Sequence, residues 1–353
     1  MIVRGDWINV APTQAVCSAL TIGGFQAFFV GGCVRNALLG VAVSDIDIAT
    51  DALPEDTIRC AKDAGLRAFP TGIEHGTITV VSGGIAHEIT TFRADVETDG
   101  RHATVQFSKS VEEDAARRDF SMNALYARAD GSVLDPLGGL QDLKRRHVRF
   151  IGDAAARICE DYLRSLRFFR FTAWYGDPAL GIDADGLAAV AANLDGLDGL
   201  SRERVGAELK KLLAAPDPSM AVAAMRSAGV LLHVLDGADD RALAPLAHHE
   251  QTWDIAPDPL RRLSVLADAE NADRLRLSKA DRARWTMLRA EIGSMKSASH
   301  LGYLHGASAA LDVLLLRAAI LETSLSNEQI SEKISQLIEK NLEFFYNIKI
   351  FTK

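Results

Sequence analysis

The sequence predicts an α+β chain, with a mixed α/β head followed by an all-α body. Two observations carry this. Short β-like runs recur over residues 1 to about 150, punctuated by Gly, Asp and Thr. From Asp153 onward Ala, Leu and Arg dominate, with apolar residues at i, i+3 and i+4 and few β-branched runs. A third observation points to the chemistry. The apolar run Phe28-Phe29-Val30 enters Gly31-Gly32, and the next β-like run carries two carboxylates, Asp45 and Asp47.

In the head, helical spacing predicts Pro12–Ala19, Val34–Leu39 and Pro54–Ala64. Strands are predicted at Ala27–Val30, Ser44–Ala49, Thr77–Val81, His87–Thr91 and Ser132–Leu134. Thr77–Val81 and His87–Thr91 read as a hairpin with Gly83-Gly84 in its turn. The polar stretch Asp95–Ser110, with Gly100-Arg101-His102, reads as a mobile loop. In the body, helices are predicted at Asp153–Tyr175, Asp185–Asn193, Ser201–Leu213, Ser219–Ser227, Asp258–Ala269 and Lys279–Ile292. Pro218 and Pro257 sit just ahead of two of them, where proline is tolerated. No repeat of fixed period is present. Ser324–Lys353 is rich in Lys, Ile, Asn and Glu and contains no Ala, Gly or Arg, so its composition breaks from the chain before it.

A length of 353 residues suffices for two or more domains. The net charge of −8 argues against broad, non-specific polyanion binding while leaving room for a local basic groove. Cys17, Cys33, Cys60 and Cys159 are widely spaced and show no metal-ligand pattern, so free thiols in a reducing compartment are expected. The N-terminal residues lack a signal-peptide apolar core, and no apolar run approaches a membrane span of ~20 residues. The expectation is a soluble cytoplasmic protein without membrane contact.

In a strand, residues i and i+2 share a face, so Asp45 and Asp47 stand together with Ile46 and Ile48 opposite. Two such acids repel each other unless a cation lies between them. Beside a Gly-Gly turn with free N–H groups, this reads as a metal–polyphosphate site. Glu88 could place a third carboxylate beside the pair. Arg117-Arg118-Asp119-Phe120-Ser121-Met122-Asn123 supplies fork donors for phosphate and hydrogen bonds for a sugar. Asp161, Arg164, Arg167 and Arg170 recur every third residue, a slanted row on the predicted helix beside the apolar row Leu163, Leu166 and Phe169. Three arginines in file repel one another, and a polyanion alongside would relieve them.

Gly31-Gly32-x-Val34-Arg35, Asp45-x-Asp47, Thr90-Thr91-Phe92-Arg93, Arg117-Arg118-Asp119-Phe120, Asp135-Pro136-Leu137-Gly138-Gly139 and Glu160-Asp161-x-x-Arg164 resemble, in order, the motifs of the class II CCA tRNA nucleotidyltransferase and bacterial poly(A) polymerase family. Ser201–Leu209 resembles a further motif, and the resemblance covers about residues 25 to 215. It implies a polymerase-β-type head at 1–150, a helical neck at 151–215 that recognises the base, and a helical body and tail at 216–323 that bind tRNA. No role is assigned to 324–353. It implies Mg²⁺ at Asp45 and Asp47, with Glu88 as a possible third acid. Gly32 and Arg35 would touch the triphosphate and Arg118 the nucleotide. Asp161 and Arg164 would read the base, with Arg167 and Arg170 helping to hold the nucleotide.

The base-reading assignment is chemically consistent. Cytosine and adenine each present an amino donor beside a ring-nitrogen acceptor. One carboxylate and one guanidinium therefore suit both. Guanine and uracil reverse that order and leave both protein groups mispaired, which is costly when they are buried. The expected activity is addition of C and A from CTP and ATP to the tRNA 3′ end. Alternatives are a poly(A) polymerase, a CC-only or A-only adding enzyme, or a catalytically silent RNA-binding protein. The chain departs from the family pattern at Asn36, often Asp, at Ala103, usually proline, and at Tyr162, commonly proline.

Plainer readings stand beside these. The aspartate pair could end a solvated strand, Glu88 could be an ordinary exposed residue, and the arginine row could pair with Glu160 and Asp161 on a surface helix. His75 and His87 read as structural or solvated, Asp135–Gly139 as a turn, and Trp174 and Tyr175 as core. Beyond about residue 215 no code for RNA is readable, as expected for recognition by shape.

Overall fold

Phe28-Phe29-Val30 carries no polar side chain, and as β1 (Phe28–Val30) it is buried along its whole length inside a sheet. The computed structural model describes residues 1–94 and 106–323. The other strands are β2 (Ile46–Thr50), β3 (Arg67–Gly72), β4 (Thr77–Ser82), β5 (Ile85–Thr91), β6 (Arg93–Ala94), β7 (Gln106–Phe107), β8 (Tyr126–Ala127) and β9 (Val133–Leu134). Seven form one sheet in the order β3-β4-β5-β2-β1-β8-β9, and β6 pairs with β7. Among the described residues only β2 and β5 run parallel; every other neighbouring pair is antiparallel. The predicted hairpin forms at Gly83 and Gly84, both at positive φ (55° and 83°), between paired Ser82 and Ile85. β3 escapes sequence prediction because Pro70 interrupts it. It lies at the sheet edge with a register shift between Phe69 and Gly72, where a missing N–H is tolerated.

Helices Ala11–Ile22 and Pro54–Asp63 pack against each other and against the β3–β5 part of the sheet, burying Val16, Leu20, Cys60 and Ala61. A core cluster joins Phe28, Val30, Ala49, Phe92, Val111, Ala115, Ala124 and Tyr126. All four cysteines are free, and burial pushes the Cys17 and Cys33 thiols up to about 12 and about 11.

The chain divides into two units. The first holds Met1–Arg164 and Asp183–Ala189; the second holds Ser165–Ile182 and the described residues from Val190 on. The second unit is helical. Some of its helices begin with side-chain caps, at Ser201, Asp258, Ser278 and Ser297, each accepting a backbone N–H three residues on. Gly206 packs so closely that a Cβ there would meet the Leu275 carbonyl at 2.1 Å. Among the described residues no helix is long and apolar enough to cross a membrane.

Two expectations need correction. The predicted helix Asp153–Tyr175 is two helices, Ala154–Glu160 and Leu163–Tyr175. Asp161 adopts an extended conformation (φ −153°, ψ 102°), and its Oδ1 accepts the Leu163 N–H at 3.1 Å, which starts the second helix. Trp174 is not core: it is 39% exposed, with Nε1 donating to the Lys211 carbonyl at 2.8 Å. Most of the loop predicted at Asp95–Ser110, including Ala103, and the segment Ser324–Lys353 lie outside the described residues.

Candidate active site

β2 alternates as its sequence requires. Ile46 and Ile48 are buried, Asp47 is half-buried on the other face, and Asp45 stands exposed one residue ahead of the strand. Parallel pairing with β5 sets Asp47 opposite Glu88, itself exposed. The Asp47 carboxyl is pushed up to about 6 by burial, then by the negative charges of Glu88 and Asp45; Arg118 and Arg35 oppose the shift. Two further acids and two guanidiniums thus act on one carboxylate. Among the described residues no group of three or more His, Cys, Asp or Glu side chains gathers closely enough to hold a metal ion. Asp45, Asp47 and Glu88 thus act on one another electrostatically without closing into such a group. Hard oxygens that raise one another's proton affinity suit a hard divalent cation such as Mg²⁺.

Gly31 turns the chain from β1 into the helix Gly32–Leu39. Its φ of +68° strains any other residue, and a Cβ there would lie 3.6 Å from Arg118 Nη1. Gly31 N–H donates to the Leu125 carbonyl at 3.3 Å, and its carbonyl accepts from the Arg35 N–H at 2.9 Å. The first N–H groups of the helix have no intrahelical acceptor and carry the positive end of its dipole, a ready anion seat. Arg35 is buried. Its Nη1 donates to Asn123 Oδ1 at 2.5 Å, while Nε and Nη2 donate to Asn36 Oδ1 at 3.1 and 2.9 Å. Asn123 Nδ2 in turn donates to Asp119 Oδ1 at 2.9 Å. Asn36, the departure from the family pattern, thus orients an arginine.

Arg118 is held by Asp114 and Tyr126. Its Nη2 and Nε donate to Asp114 Oδ2 at 2.8 and 3.2 Å, and Nε also donates to the Tyr126 hydroxyl at 3.1 Å. That hydroxyl donates to Asp114 Oδ2 at 2.7 Å. The charge of Arg118 and these hydrogen bonds hold the Asp114 carboxyl below the usual range against strong desolvation.

Arg164 projects toward the same segment. Its Nη2 donates to the Arg117 carbonyl at 3.1 Å, and Nη1 donates to the Arg157 carbonyl at 3.0 Å and to Glu160 Oε2 at 2.5 Å. In the second unit, Arg170 Nε donates to Glu208 Oε2 at 2.5 Å, and both Arg170 and Arg167 lie over the Phe171 ring, at 4.6 and 5.4 Å. The arginine row expected from the sequence thus already meets carboxylates. Glu160 and Glu208 supply carboxylates to its two ends, and Asp161 is off the helix.

The other candidates resolve simply. His87 is fully buried between Thr13 Oγ1 (3.0 Å) and the Val80 carbonyl (3.3 Å), a structural histidine whose charged form is disfavoured by burial. Asp135 accepts the Gly139 and Leu140 N–H groups at 2.7 and 3.0 Å, as a turn residue does. Sequence reasoning missed Asp114 and Tyr126. The four-residue spacing of Asp114 and Arg118 was the available signal.

Residues 27–149 match the family described as "Poly A polymerase head domain", and residues 180–241 match "Probable RNA and SrmB- binding site of polymerase A". The chain is 37% identical over 268 residues to a mitochondrial CCA tRNA nucleotidyltransferase 1 of Danio rerio, covering 73% of this chain and 61% of that protein. It is 43% identical over 202 residues to a CCA-adding enzyme of Leuconostoc mesenteroides, covering 57% and 49%. These alignments span about half to three fifths of the relatives' length. Among solved structures, the CCA-adding enzyme of Bacillus stearothermophilus, in complex with CTP, matches with a TM-score of 0.76 at 28% identity, over 93% of this chain and 82% of that one.

Proposed function

Because the chain belongs to the CCA tRNA nucleotidyltransferase and poly(A) polymerase family, with a polymerase-β-type head and a helical remainder, we propose that it adds C and A nucleotides to the 3′ end of tRNA without a template. The substrates are CTP and ATP, and pyrophosphate is released. The observation that carries this reading is the crowding of Asp47 by Glu88 and Asp45 beside Arg118 and Arg35. Carboxylates so placed disfavour their own ionisation and favour a divalent cation, and the neighbouring guanidiniums favour phosphate.

In this reading Asp45 and Asp47 hold Mg²⁺, with Glu88 as the adjacent acid. When bound, the ion supplies positive charge where the phosphoryl oxygens gain negative charge. Gly32, at the helix N-terminus, and Arg35 bind and orient the triphosphate, and Arg118 binds the nucleotide. The tRNA 3′-hydroxyl oxygen bonds the α-phosphorus as the bond to the β-phosphate oxygen breaks. Asp161 accepts from the exocyclic amino group of C or A and Arg164 donates to the ring nitrogen, while Arg167 and Arg170, further along the Arg164 helix, help to hold the nucleotide. The remaining helices, through residue 323, hold tRNA by shape, consistent with their lack of a readable sequence code.

The test is incubation of the purified chain with tRNA lacking its 3′ end, MgCl₂ and single or paired nucleoside triphosphates. Three defined additions with CTP plus ATP are expected. Two additions indicate a CC-adding enzyme, one an A-adding enzyme, and a ladder a poly(A) polymerase. No incorporation overturns the assignment.

A further inference from the structure

Asp114 sits where a carboxylate is costly. It is 1% exposed, on the short helix Val111–Ala116, whose Val111 and Ala115 pack with Phe28, Phe92 and Tyr126 in the apolar cluster. Its Oδ2 receives Arg118 and Tyr126, and its Oδ1 receives the Arg93 N–H at 3.3 Å and Arg117 Nε at 3.4 Å. Tyr126 pairs in register with Val30, the residue before Gly31. The guanidinium edge of Arg118 formed by Nε and Nη2 is thereby occupied, and the remaining nitrogen, Nη1, faces the glycine turn. The backbone of Arg117, tied to Asp114 through its own side chain, presents the carbonyl that receives Arg164.

We propose that Asp114, with Tyr126, is a positioning residue for nucleotide binding and selection. It fixes Arg118 Nη1 at the glycine turn, and through Arg117 it fixes the carbonyl on which Arg164 rests. One buried carboxylate thus sets the phosphate-side and the base-side arginine in a common frame. This rests on the nucleotidyltransferase reading above, but its first test needs no turnover. A plain structural ion pair would stabilise the fold without governing nucleotide affinity, so the two roles separate by experiment.

The test is a double-mutant cycle on the full chain, read as CTP dissociation constants by calorimetry, with folding followed by thermal melting. Loss of a hydrogen-bond partner behind a binding residue typically costs about 10–100-fold. Asp114→Asn is expected to weaken CTP binding about tenfold, and Tyr126→Phe, which removes one hydroxyl, about threefold. In an Arg118→Ala background Tyr126→Phe should alter CTP affinity by no more than about twofold, because the group it acts through is gone, and Asp114→Asn by clearly less than its tenfold, because only the route through Arg117 remains. In the transfer assay, Asp114→Asn should also narrow the preference for CTP over UTP. Should Asp114→Asn fail to fold, Tyr126→Phe decides. Unchanged CTP affinity in a folded variant, or additive effects beside Arg118→Ala, overturns the proposal. A wild-type chain that binds CTP but extends no tRNA overturns the function reading alone, and one that binds no CTP overturns both.

Discussion

Two carboxylate clusters, one in each unit, treat charge in opposite ways. Around Asp47 the first unit crowds Glu88 and Asp45 onto a carboxylate that burial already disfavours, and its pKa rises. In the second unit Glu250 is 1% exposed, yet it accepts from Arg261 Nε and Arg262 Nε, both at 2.7 Å. Arg261 continues to Asp312 at 2.8 Å, and Arg284 joins Asp312 to Asp258 at 2.7 and 2.9 Å. Arg262 also donates to the carbonyls of Leu213, Ala215 and Pro216, at and just beyond the end of helix Arg202–Leu213. Three arginines meet three acids in that network, and each of these guanidinium donors meets a carboxylate or a carbonyl. A satisfied network specifies one packing, whereas local electrostatic conflict in a cleft marks a place prepared for a ligand.

Breaking each arrangement should therefore fail differently. Asp47→Ala is expected to lower transfer by at least about a thousandfold, roughly 4 kcal/mol or more in the barrier, with the melting temperature at or above that of the wild type. Retained turnover, or collapse of the fold, would contradict the contrast. Glu250→Gln should act the other way. It strands two arginines in the interior and should lower unfolding free energy by about 3–4 kcal/mol by denaturant titration. The protein that remains folded should transfer within a few fold of wild type.

The same contrast explains what the sequence made legible. Asp45 and Asp47 could be read because a strand has period two and both partners lie within three residues. The hairpin at Gly83-Gly84 could be read because two consecutive residues at positive φ favour glycine. The break at Asp161 could not, since Ile158, Tyr162 and Leu166 recur every four residues across it and only the Asp161 side chain, turned to the Leu163 N–H, ends the run. Glu250, Arg261 and Asp312 are separated by 11 and 51 residues, and no local pattern says which charges of a helical body will meet. Nothing in its neighbourhood along the chain marks Tyr126, whose hydroxyl gains meaning only beside Asp114.

In the proposed reading base selection lies between the two regimes, because Arg164 is already oriented by Glu160 and two carbonyls. Arg164→Ala, or Asp161→Ala, should narrow the preference for CTP and ATP over UTP and GTP by about 10–100-fold in kcat/KM, some 1.4–2.7 kcal/mol. Single-nucleotide incorporation with each triphosphate measures it. An unchanged preference in both variants would remove these residues from base reading.

The smallest expected effect tests the electrostatic conflict without any substrate. The Asp47 carboxyl has a folded pKa of about 6 against an ordinary value of 3.8, so between those values the folded state binds more protons than the unfolded one. Stability from this group therefore falls as pH rises through about 4 to 6, and the full penalty stands above pH 6. About two pKa units set a ceiling of about 3 kcal/mol; partial solvent exposure reduces the expectation to about 1–2 kcal/mol. Asp47→Asn should accordingly be more stable than wild type by about that amount at pH 7.5 in EDTA, with the gap closing toward pH 4. Adding MgCl₂ should stabilise the wild type and not the variant, by mass action on a site the amide cannot fill. Denaturant unfolding at the two pH values, with and without the metal, reads all four terms. Equal stability of the two proteins at pH 7.5 in EDTA would mean that the acids around Asp47 are not in conflict.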